Sequence, residues 1–265
     1  MKILVTNDDG VAAPGLWALV EELKKIGEVI VVVLDREQSG VGTSVTLHHP
    51  LRVREVMPVI ENTPTYVVEG TPSDSVIVAL GMVIGDRADL IVSGINEGSN
   101  LGNDVIISGT VAAAFQGYFH GIPSIAVSVA SFNDLHFEVA SRIALFFARQ
   151  FDKGKLSPKV LLNINVPNLP LEEIEGIEIT RLGERSTTDA IRNGAISKGF
   201  DGKRDYYWIR HGAPEWVGGE GTDIWALKHN RISITPLHSD LTDHQQFPAL
   251  RGMCPSLLTA LKTAG

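Results

Sequence analysis

Two adjacent carboxylates at the end of the first predicted strand have the residue types and spacing to do chemistry. Residues 3–5 form a short apolar run, typical of a buried parallel strand, and lead directly into Asn7, Asp8, Asp9 and Gly10. Side chains on a regular strand alternate between faces, so Asp8 and Asp9 can face one ligand only if the chain turns, which Gly10 permits. Two carboxylates held close repel each other unless a cation or a shared proton relieves the repulsion. Oxygen ligands favour Mg²⁺ or Mn²⁺, so the pair predicts a metal site.

The alternative for this pair is a structural role. A single Asp often caps the start of a helix, and its neighbour can then stay solvated. Two acids in succession fit metal binding better than this role, so we favour the metal hypothesis. Asp8 and Asp9 are also the catalytic candidates, because either could serve as base or nucleophile.

The loop of residues 35–44 follows the second predicted strand and is rich in glycine and hydroxyl side chains. Small residues such as Gly40 let the backbone approach a ligand, and hydroxyls such as that of Ser39 are neutral oxygen donors. Taken alone the loop is weak support for a site, because Ser and Gly fill most loops.

The loop of residues 93–104 alternates glycines with asparagines, among them Asn96 and Asn100. Such a loop is able to present amide oxygens to a cation and amide protons to phosphate. Its glycine spacing is not that of the dinucleotide-binding fingerprint. A long polar surface loop is the alternative, and we favour a binding role.

A hydroxyl-rich segment, Ser108, Gly109 and Thr110, precedes a predicted helix. The first amide protons of a helix have no partner within it, and they attract anions, phosphate above all. An ordinary N-cap is the alternative, and it would be preferred if no candidate metal loop lay nearby.

Strand and helix patterns alternate along the first two thirds of the chain. Residues 28–34 include a continuous β-branched run typical of a strand covered on both faces, and residues 65–68, 89–94, 124–129 and 161–167 give further strand patterns. The alternation predicts an α/β fold with a mainly parallel sheet, helices on both faces and right-handed crossovers. The carboxyl ends of parallel strands meet at one edge, so the four polar segments should converge there.

The sequence pattern changes in the last third of the chain. Beyond Gly176, short strands and glycine-rich turns predominate, including residues 204–209 and 218–221. We therefore divide the chain into a catalytic core, residues 1–176, and a β-hairpin-rich oligomerisation arm with a C-terminal segment, residues 177–265. The second part is not expected to fold independently.

Composition narrows the classes of partner and compartment. The 265 residues include 23 Lys and Arg against 31 Asp and Glu, a net charge of −8, so polymeric nucleic acid is not an expected partner. A single cysteine, Cys254, excludes an internal disulfide and a multi-cysteine zinc site. No cationic, apolar leader precedes the first strand and no apolar run is long enough to cross a membrane, so we expect a cytoplasmic protein without a membrane partner.

A divalent metal beside a phosphate-binding segment is the apparatus for phosphoryl transfer or phosphate ester hydrolysis. The metal polarises phosphoryl oxygens and activates water, while fixed donors stabilise the charge that develops. The chain has no Walker A sequence. It also has no Asp-x-Asp after the first strand, the arrangement associated with an aspartyl-phosphate intermediate, so we favour attack by water over covalent catalysis.

Along nearly its whole length the chain closely resembles the SurE family of stationary-phase survival proteins. The matching motifs are Asn7-Asp8-Asp9-Gly10 with Ala13-Pro14-Gly15, Asp35-Arg36 with Gln38-Ser39-Gly40, Gly70-Thr71-Pro72, Val92-Ser93-Gly94-Ile95-Asn96 with Gly98, Asn100 and Gly102, Asp104-Val105, Ser108-Gly109-Thr110-Val111, Asn163-Ile164-Asn165-Val166-Pro167, Thr222-Asp223 and Ser233-Ile234-Thr235-Pro236-Leu237. The resemblance implies a metal-dependent nucleotidase that acts as an acid phosphatase on nucleoside 5′- and 3′-monophosphates. It also implies a Rossmann-like three-layer sandwich, a protruding hairpin that swaps between subunits, and a homodimer or homotetramer.

The resemblance also assigns roles residue by residue. The metal ligands correspond to Asp8, Asp9, Ser39 and Asn96, which would hold one Mg²⁺ or Mn²⁺ per subunit. The phosphate-binding residues correspond to Ser108, Gly109 and Thr110 with Asn100 nearby, and we add Gly40. Two alternatives for the function stay open: a broad-specificity phosphatase or exopolyphosphatase, and a non-catalytic nucleotide sensor.

Overall fold

A computed structural model describes residues 1–85, 88–184, 196–200, 205–209 and 218–263 of the chain. The strands are β1 (Lys2–Thr6), β2 (Glu28–Leu34), β3 (Val53–Val56), β4 (Thr65–Val68), β5 (Leu90–Glu97), β6 (Ser124–Val129), β7 (Leu161–Val166), β8 (Gly176–Ile179), β9 (Ile196–Phe200), β10 (Asp205–Ile209) and β11 (Arg231–Leu237). The α-helices are α1 (Pro14–Leu23), α2 (Pro72–Val78), α3 (Gly109–Phe119), α4 (Glu138–Asp152), α5 (Asp223–Lys228) and α6 (Phe247–Thr263). A π-helical turn, Ala79–Val83, continues α2.

In the described part of the chain, the main sheet has nine strands in the order β3-β4-β2-β1-β5-β6-β7-β11-β8. The six strands from β4 to β7 are mutually parallel, while β3 and β11 join the sheet antiparallel to β4 and β7. The predicted α/β fold with a mainly parallel sheet is confirmed. Strand β3 was not predicted, because its four residues are mostly exposed and do not alternate between apolar and polar.

Helices cover both faces of the sheet and make the expected three layers. Ile3 and Val5 of β1 pack into one core with α1 and α4, whereas Leu4 packs into a second core with α2 and α3. This alternation is the period-two pattern of a strand buried on both faces. Leu16, Leu19 and Leu23 of α1 are fully buried at helical spacing, and burial of each Leu contributes roughly 1.5–3 kcal/mol to stability.

The main sheet continues past the predicted boundary at residue 176. Strand β11 pairs with β7 on one side and β8 on the other, because Ile232 and Ile234 need the same apolar core as the earlier strands. Strands β9 and β10 form a separate antiparallel pair, as expected of a hairpin. Residues 185–195, 201–204 and 210–217 of the predicted arm lie outside the described residues. The division at 176 therefore stays a proposal about roles.

Helix α6 near the end of the chain was missed by the sequence analysis. It carries exposed apolar side chains at helical spacing: Phe247, Leu250, Met253, Leu257, Leu258 and Leu261. That spacing is a helix signal that can be read from the sequence. Among the described residues, no helix is both long enough and apolar enough to span a bilayer.

The strand order reverses beside β1, and this reversal determines where a ligand can bind. From β1 the chain adds β2 and β4 on one side, then returns to place β5, β6 and β7 on the other. In open α/β sheets a crevice forms at such a point, outside the carboxyl ends of the strands. Asp8 and Asp9 follow β1 and Asn96 lies at the end of β5, so the predicted residues flank this crevice.

Candidate metal and phosphate site

The turn after β1 is built by Asn7 and Gly10. The Asn7 side chain donates to the Gly10 carbonyl at 3.0 Å, and the Gly10 N–H donates back to Asn7 Oδ1 at 3.2 Å. Gly10 has a φ of 93°, and a Cβ there would lie 3.3 Å from the Arg36 carbonyl carbon, so glycine is required by both conformation and space. This turn ends the alternation of the strand and presents the two acids that follow Asn7.

Asp8 connects the turn after β1 to the loop after β2 and to the start of α3. Its carboxylate accepts a hydrogen bond from the Thr110 hydroxyl, Oγ1 to Oδ1 at 2.6 Å, and is also bonded to the Thr110 main-chain N–H. Its own carbonyl accepts from the Gln38 N–H at 2.8 Å. The loop after β2 and the start of α3 therefore meet at one buried aspartate.

Asp9 reaches the end of β5. Its carboxylate accepts a hydrogen bond from the Glu97 main-chain N–H, while Oδ2 is buried and has no hydrogen-bond partner among the described residues. A buried carboxylate oxygen without a donor is costly, because it has lost its hydration and gained nothing in return. A cation is the partner that would satisfy this atom.

The electrostatics of the pair favour a cation as well. Burial raises the pKa of Asp8 to about 6, against the opposing hydrogen bonds from Thr110. Burial and the neighbouring Asp8 charge raise the pKa of Asp9 to about 8. No group of three or more His, Cys, Asp and Glu side chains that could hold a metal forms within the described part of the chain. The buried, unpartnered Asp9 Oδ2 beside the Asp8 carboxylate fits a hard divalent ion, whose other ligands would be neutral oxygens and water.

We predict that the metal-free protein becomes less stable as the pH rises from about 4 to about 8. Both aspartates have folded-state pKa values above the ordinary value of 3.8, so the folded protein holds these protons more tightly than the unfolded chain. The stabilising contribution is full below the unfolded pKa and is lost as the pH rises through the folded values. Urea denaturation in the presence of a chelator, repeated across this range, measures the decline.

The control for this pH dependence is the Asp9→Asn variant, which lacks the group with the largest shift and should show a shallower decline. Added Mg²⁺ or Mn²⁺ should restore stability most at the alkaline end, because metal binding competes with protons. A free energy of unfolding that is constant or rises between about pH 4 and about pH 8 would contradict the assignment.

Ser39 and Gly40 lie in the loop that Gln38 anchors to Asp8. The Ser39 hydroxyl donates to Glu37 Oε1 at 2.7 Å and both loop residues are exposed. Gly40 has a φ of 73°, and nothing lies within 4 Å of where a Cβ would be. Ser39 therefore lies next to the residue that bonds to Asp8, but its hydroxyl is hydrogen-bonded to Glu37.

Asn96 lies at the end of β5, and Asn100 lies in the loop that follows. Asn96 Nδ2 donates to the carbonyls of Glu97 and Gly98, at 3.3 and 2.7 Å, which leaves its side-chain oxygen as the candidate ligand. Asn100 Nδ2 donates to Ser128 Oγ at 2.8 Å and lies 3.5 Å from Thr110 Oγ1. The structure thus brings Asn100 to Thr110, which itself contacts Asp8.

Ser108, Gly109 and Thr110 form the start of α3 as predicted. Ser108 is the N-cap, and its hydroxyl accepts from the Val111 N–H at 3.1 Å, so the structural alternative is realised for this side chain. A Cβ at Gly109 would lie 2.8 Å from Asp8 Oδ2 and 2.9 Å from Pro72 Cγ. The helix start therefore approaches Asp8 closely, and glycine makes that approach possible.

Sequence reasoning assigned no role to several residues that shape the site. Glu37 and Glu97 add negative charge that raises the pKa of Asp9. Asp223 accepts hydrogen bonds from the main-chain N–H groups of Gly102, Gly183 and Ile224, each at 2.8 Å. Asn163 and Asn165 also received no role, although they have a readable signal: both are polar residues within the buried apolar strand β7.

The sequence and fold also match known proteins. A sequence model of a family described as Survival protein SurE matches residues 3–189, which is more than half of the chain. The chain belongs to the SurE family. A protein named 5′-nucleotidase SurE from Dehalococcoides mccartyi strain CBDB1 is 43% identical over 265 residues, which cover 99% of this chain and 98% of the relative.

Other members of the SurE family agree in length and fold. A protein of the same name from Geobacter metallireducens is 45% identical over 252 residues, covering 95% of this chain and 96% of the relative. The crystal structure of the SurE protein from Aquifex aeolicus superposes with a TM-score of 0.79 at 37% identity, covering 96% of this chain and 99% of that one. The Rossmann-like architecture is thus shared with a solved member of the family.

Proposed function

We propose that this chain hydrolyses nucleoside 5′- and 3′-monophosphates to nucleoside and phosphate with the help of a divalent metal ion. The observation that carries the proposal is that three segments meet at the two aspartates. The loop of Gln38 and the start of α3 at Thr110 contact Asp8, and the end of β5 contacts the adjacent Asp9. Support for the nucleotide as substrate comes from family membership and from the name 5′-nucleotidase of close relatives.

In this proposal Asp8, Asp9, Ser39 and Asn96 hold one Mg²⁺ or Mn²⁺ per subunit. Such an ion, when bound, supplies positive charge for the phosphoryl oxygens and lowers the pKa of water. The Ser39 hydroxyl must then leave Glu37, its partner in this structure. Either Asp8 or Asp9 is also a candidate to accept a proton from the attacking water, through a carboxylate oxygen that does not hold the ion.

The start of α3 and the loop after β5 would bind the phosphate. Amide protons at the start of α3, between Ser108 and Thr110, attract anionic oxygens. Asn100 Nδ2, which lies 3.5 Å from Thr110 Oγ1, can add a donor, and the exposed backbone at Gly40 leaves space for a substrate. These fixed donors would stabilise charge in the transition state without reorganising.

A substrate and metal screen tests the proposal. Purified protein, first stripped with a chelator, is assayed for phosphate release from nucleoside 5′- and 3′-monophosphates, sugar phosphates and polyphosphate with added Mg²⁺ or Mn²⁺. The highest kcat/KM for nucleotides supports a nucleotidase, and equal values across substrates would indicate a broad phosphatase. Nucleotide binding without metal-stimulated phosphate release would indicate a sensor and overturn the proposed hydrolysis.

We also propose that the protein is a cytoplasmic homodimer or homotetramer. The exposed apolar stripe on the 17-residue helix α6 supports an oligomer, because monomers rarely expose contiguous apolar patches of this kind. The β-hairpin-rich arm that precedes α6 within residues 177–265 remains the second candidate contact.

Introducing a charge into the α6 stripe should weaken the oligomer. Leu257→Asp would place a carboxylate in the proposed contact, and we expect a smaller particle at micromolar concentration. Thr259→Asp is the matched control, because position 259 lies about 200° around the helix from Leu257. Light scattering after size-exclusion chromatography measures the mass. An unchanged mass for Leu257→Asp, or an equal loss in the control, would contradict a contact through this stripe.

A further inference from the structure

We infer that Asn165 is a positioning residue for the proposed hydrolysis: it holds the backbone of Asn100, and thereby places the Asn100 amide beside Thr110. The inference rests on the proposed function and adds to it a residue of β7 outside the predicted site. Asn165 contacts neither Asp8 nor Asp9 by hydrogen bond and acts through Asn100 alone.

The contact between Asn165 and Asn100 is two-sided. The Asn100 N–H donates to Asn165 Oδ1 at 2.8 Å, and Asn165 Nδ2 donates to the Asn100 carbonyl at 3.0 Å. Asn163 Nδ2 donates to the same carbonyl at 2.9 Å. One carboxamide thus satisfies both main-chain groups of Asn100, as a neighbouring strand would.

Burial makes this contact strong and specific. Asn163 and Asn165 are fully buried, and Asn100 is 8% exposed. An amide in such surroundings costs stability unless it is hydrogen-bonded, so the Asn165 carboxamide strongly favours the one loop position that satisfies it. A leucine of similar size would serve the core at least as well, which points to the loop rather than the core as the reason for an amide.

Strand register places the residues that hold Asn100 together. Ser128 of β6 lies directly opposite Asn165 of β7, and Asn96 of β5 lies opposite Ser128. Ser128 Oγ accepts a hydrogen bond from Asn100 Nδ2 at 2.8 Å. Strand β6 therefore orients the Asn100 side chain, while β7 holds the Asn100 backbone. The Asn100 amide is thereby directed along Thr110 toward Asp8, the residues proposed to bind phosphate and metal.

The test replaces Asn165 by Leu, which removes both hydrogen-bonding groups at little change in volume. We expect kcat/KM for a nucleoside monophosphate to fall about 10- to 100-fold, since small displacements of binding groups cost this much. Competitive inhibition by inorganic phosphate should weaken as well. Thr235→Val is the matched control: Thr235 is equally buried, lies in β11 opposite Asn163, and its hydroxyl bonds to that of Thr180. It should lose stability but keep its kcat/KM.

A double variant separates positioning from a general loss of order. If Asn165 acts through the Asn100 side chain, then Asn100→Ala combined with Asn165→Leu should have the same kcat/KM as Asn100→Ala alone. Multiplying effects would overturn the inference. If Asn165→Leu does not fold, Asn163→Ala removes a single donor to the Asn100 carbonyl, and a fall in kcat/KM absent from the control supports the same role.

The outcomes also separate this inference from the proposed function. Absence of phosphate release by the unaltered protein with every substrate and metal would overturn the proposed function. Full activity of folded Asn165→Leu, beside an active unaltered protein, would overturn the positioning role alone.

Discussion

Asp9→Asn should abolish most phosphate release while the fold persists, with kcat/KM lowered by about 100-fold or more, the scale of losing a group that stabilises transition-state charge. The reason is specific to Asp9: its Oδ2 atom is buried without a hydrogen-bond partner among the described residues. An amide in its place keeps the size of the side chain but removes the charge that a divalent ion requires. Phosphate release with added Mn²⁺, at several metal concentrations, measures the loss.

The same variant should leave the metal-free fold intact and more stable in alkaline solution. Burial and the Asp8 charge raise the pKa of Asp9 to about 8, so ionising Asp9 costs the folded protein stability as the pH rises toward that value. Asparagine stays neutral and avoids this cost. Asp152→Asn, at the exposed end of α4, is the control for loss of one negative charge. Undiminished phosphate release by Asp9→Asn would exclude Asp9 as a ligand or base.

Gly109→Ala should also inactivate the enzyme, although it removes no functional group. The new methyl group would lie 2.8 Å from Asp8 Oδ2, 2.9 Å from Asp8 Cβ and 2.9 Å from Pro72 Cγ. Either Asp8 or the start of α3 must move, and both belong to the proposed site. A displacement of this kind costs about 100-fold in kcat/KM where geometry is decisive. Metal affinity by calorimetry should fall in parallel, because Asp8 is a proposed ligand.

Gly81→Ala is the matched control for this substitution. Gly81 lies in the π-helical turn after α2, where nothing lies within 4 Å of the position of a new Cβ. We expect unchanged kcat/KM and stability that is equal or slightly higher, because alanine restricts the unfolded chain. Equal kinetics for Gly109→Ala and Gly81→Ala would show that the approach of α3 to Asp8 has no bearing on the reaction.

The sequence alone was sufficient to predict the buried strands and to identify Asp8 and Asp9 as candidate site residues. Continuous apolar runs predicted β2 over Glu28–Leu34 and β6 over Ser124–Val129 with the bounds that the structure shows. Buried strands are readable because burial on both faces demands apolar residues throughout. Asp8 and Asp9 were readable because adjacent carboxylates at the end of such a strand have few structural uses.

The C-terminal third was less readable, for two physical reasons. The place of β11 in the main sheet depends on contacts with β7, which is distant along the chain and invisible to local patterns. The spacing of α6 was visible, but its apolar stripe finds no core among the described residues to explain it. Local propensity indicates that an element exists and leaves its partners undetermined.

Only the tertiary structure decided how the site is held together. The sequence placed Asn100 and Thr110 in neighbouring loops, but their shared contact depends on Ser128 and Asn165, which come from two other strands. The raised pKa values of Asp8 and Asp9 likewise depend on burial by surrounding loops. Residue types and spacing determine which chemistry is available. Distances, burial and charge at the site arise from packing between segments far apart in sequence, and these decide whether that chemistry can occur.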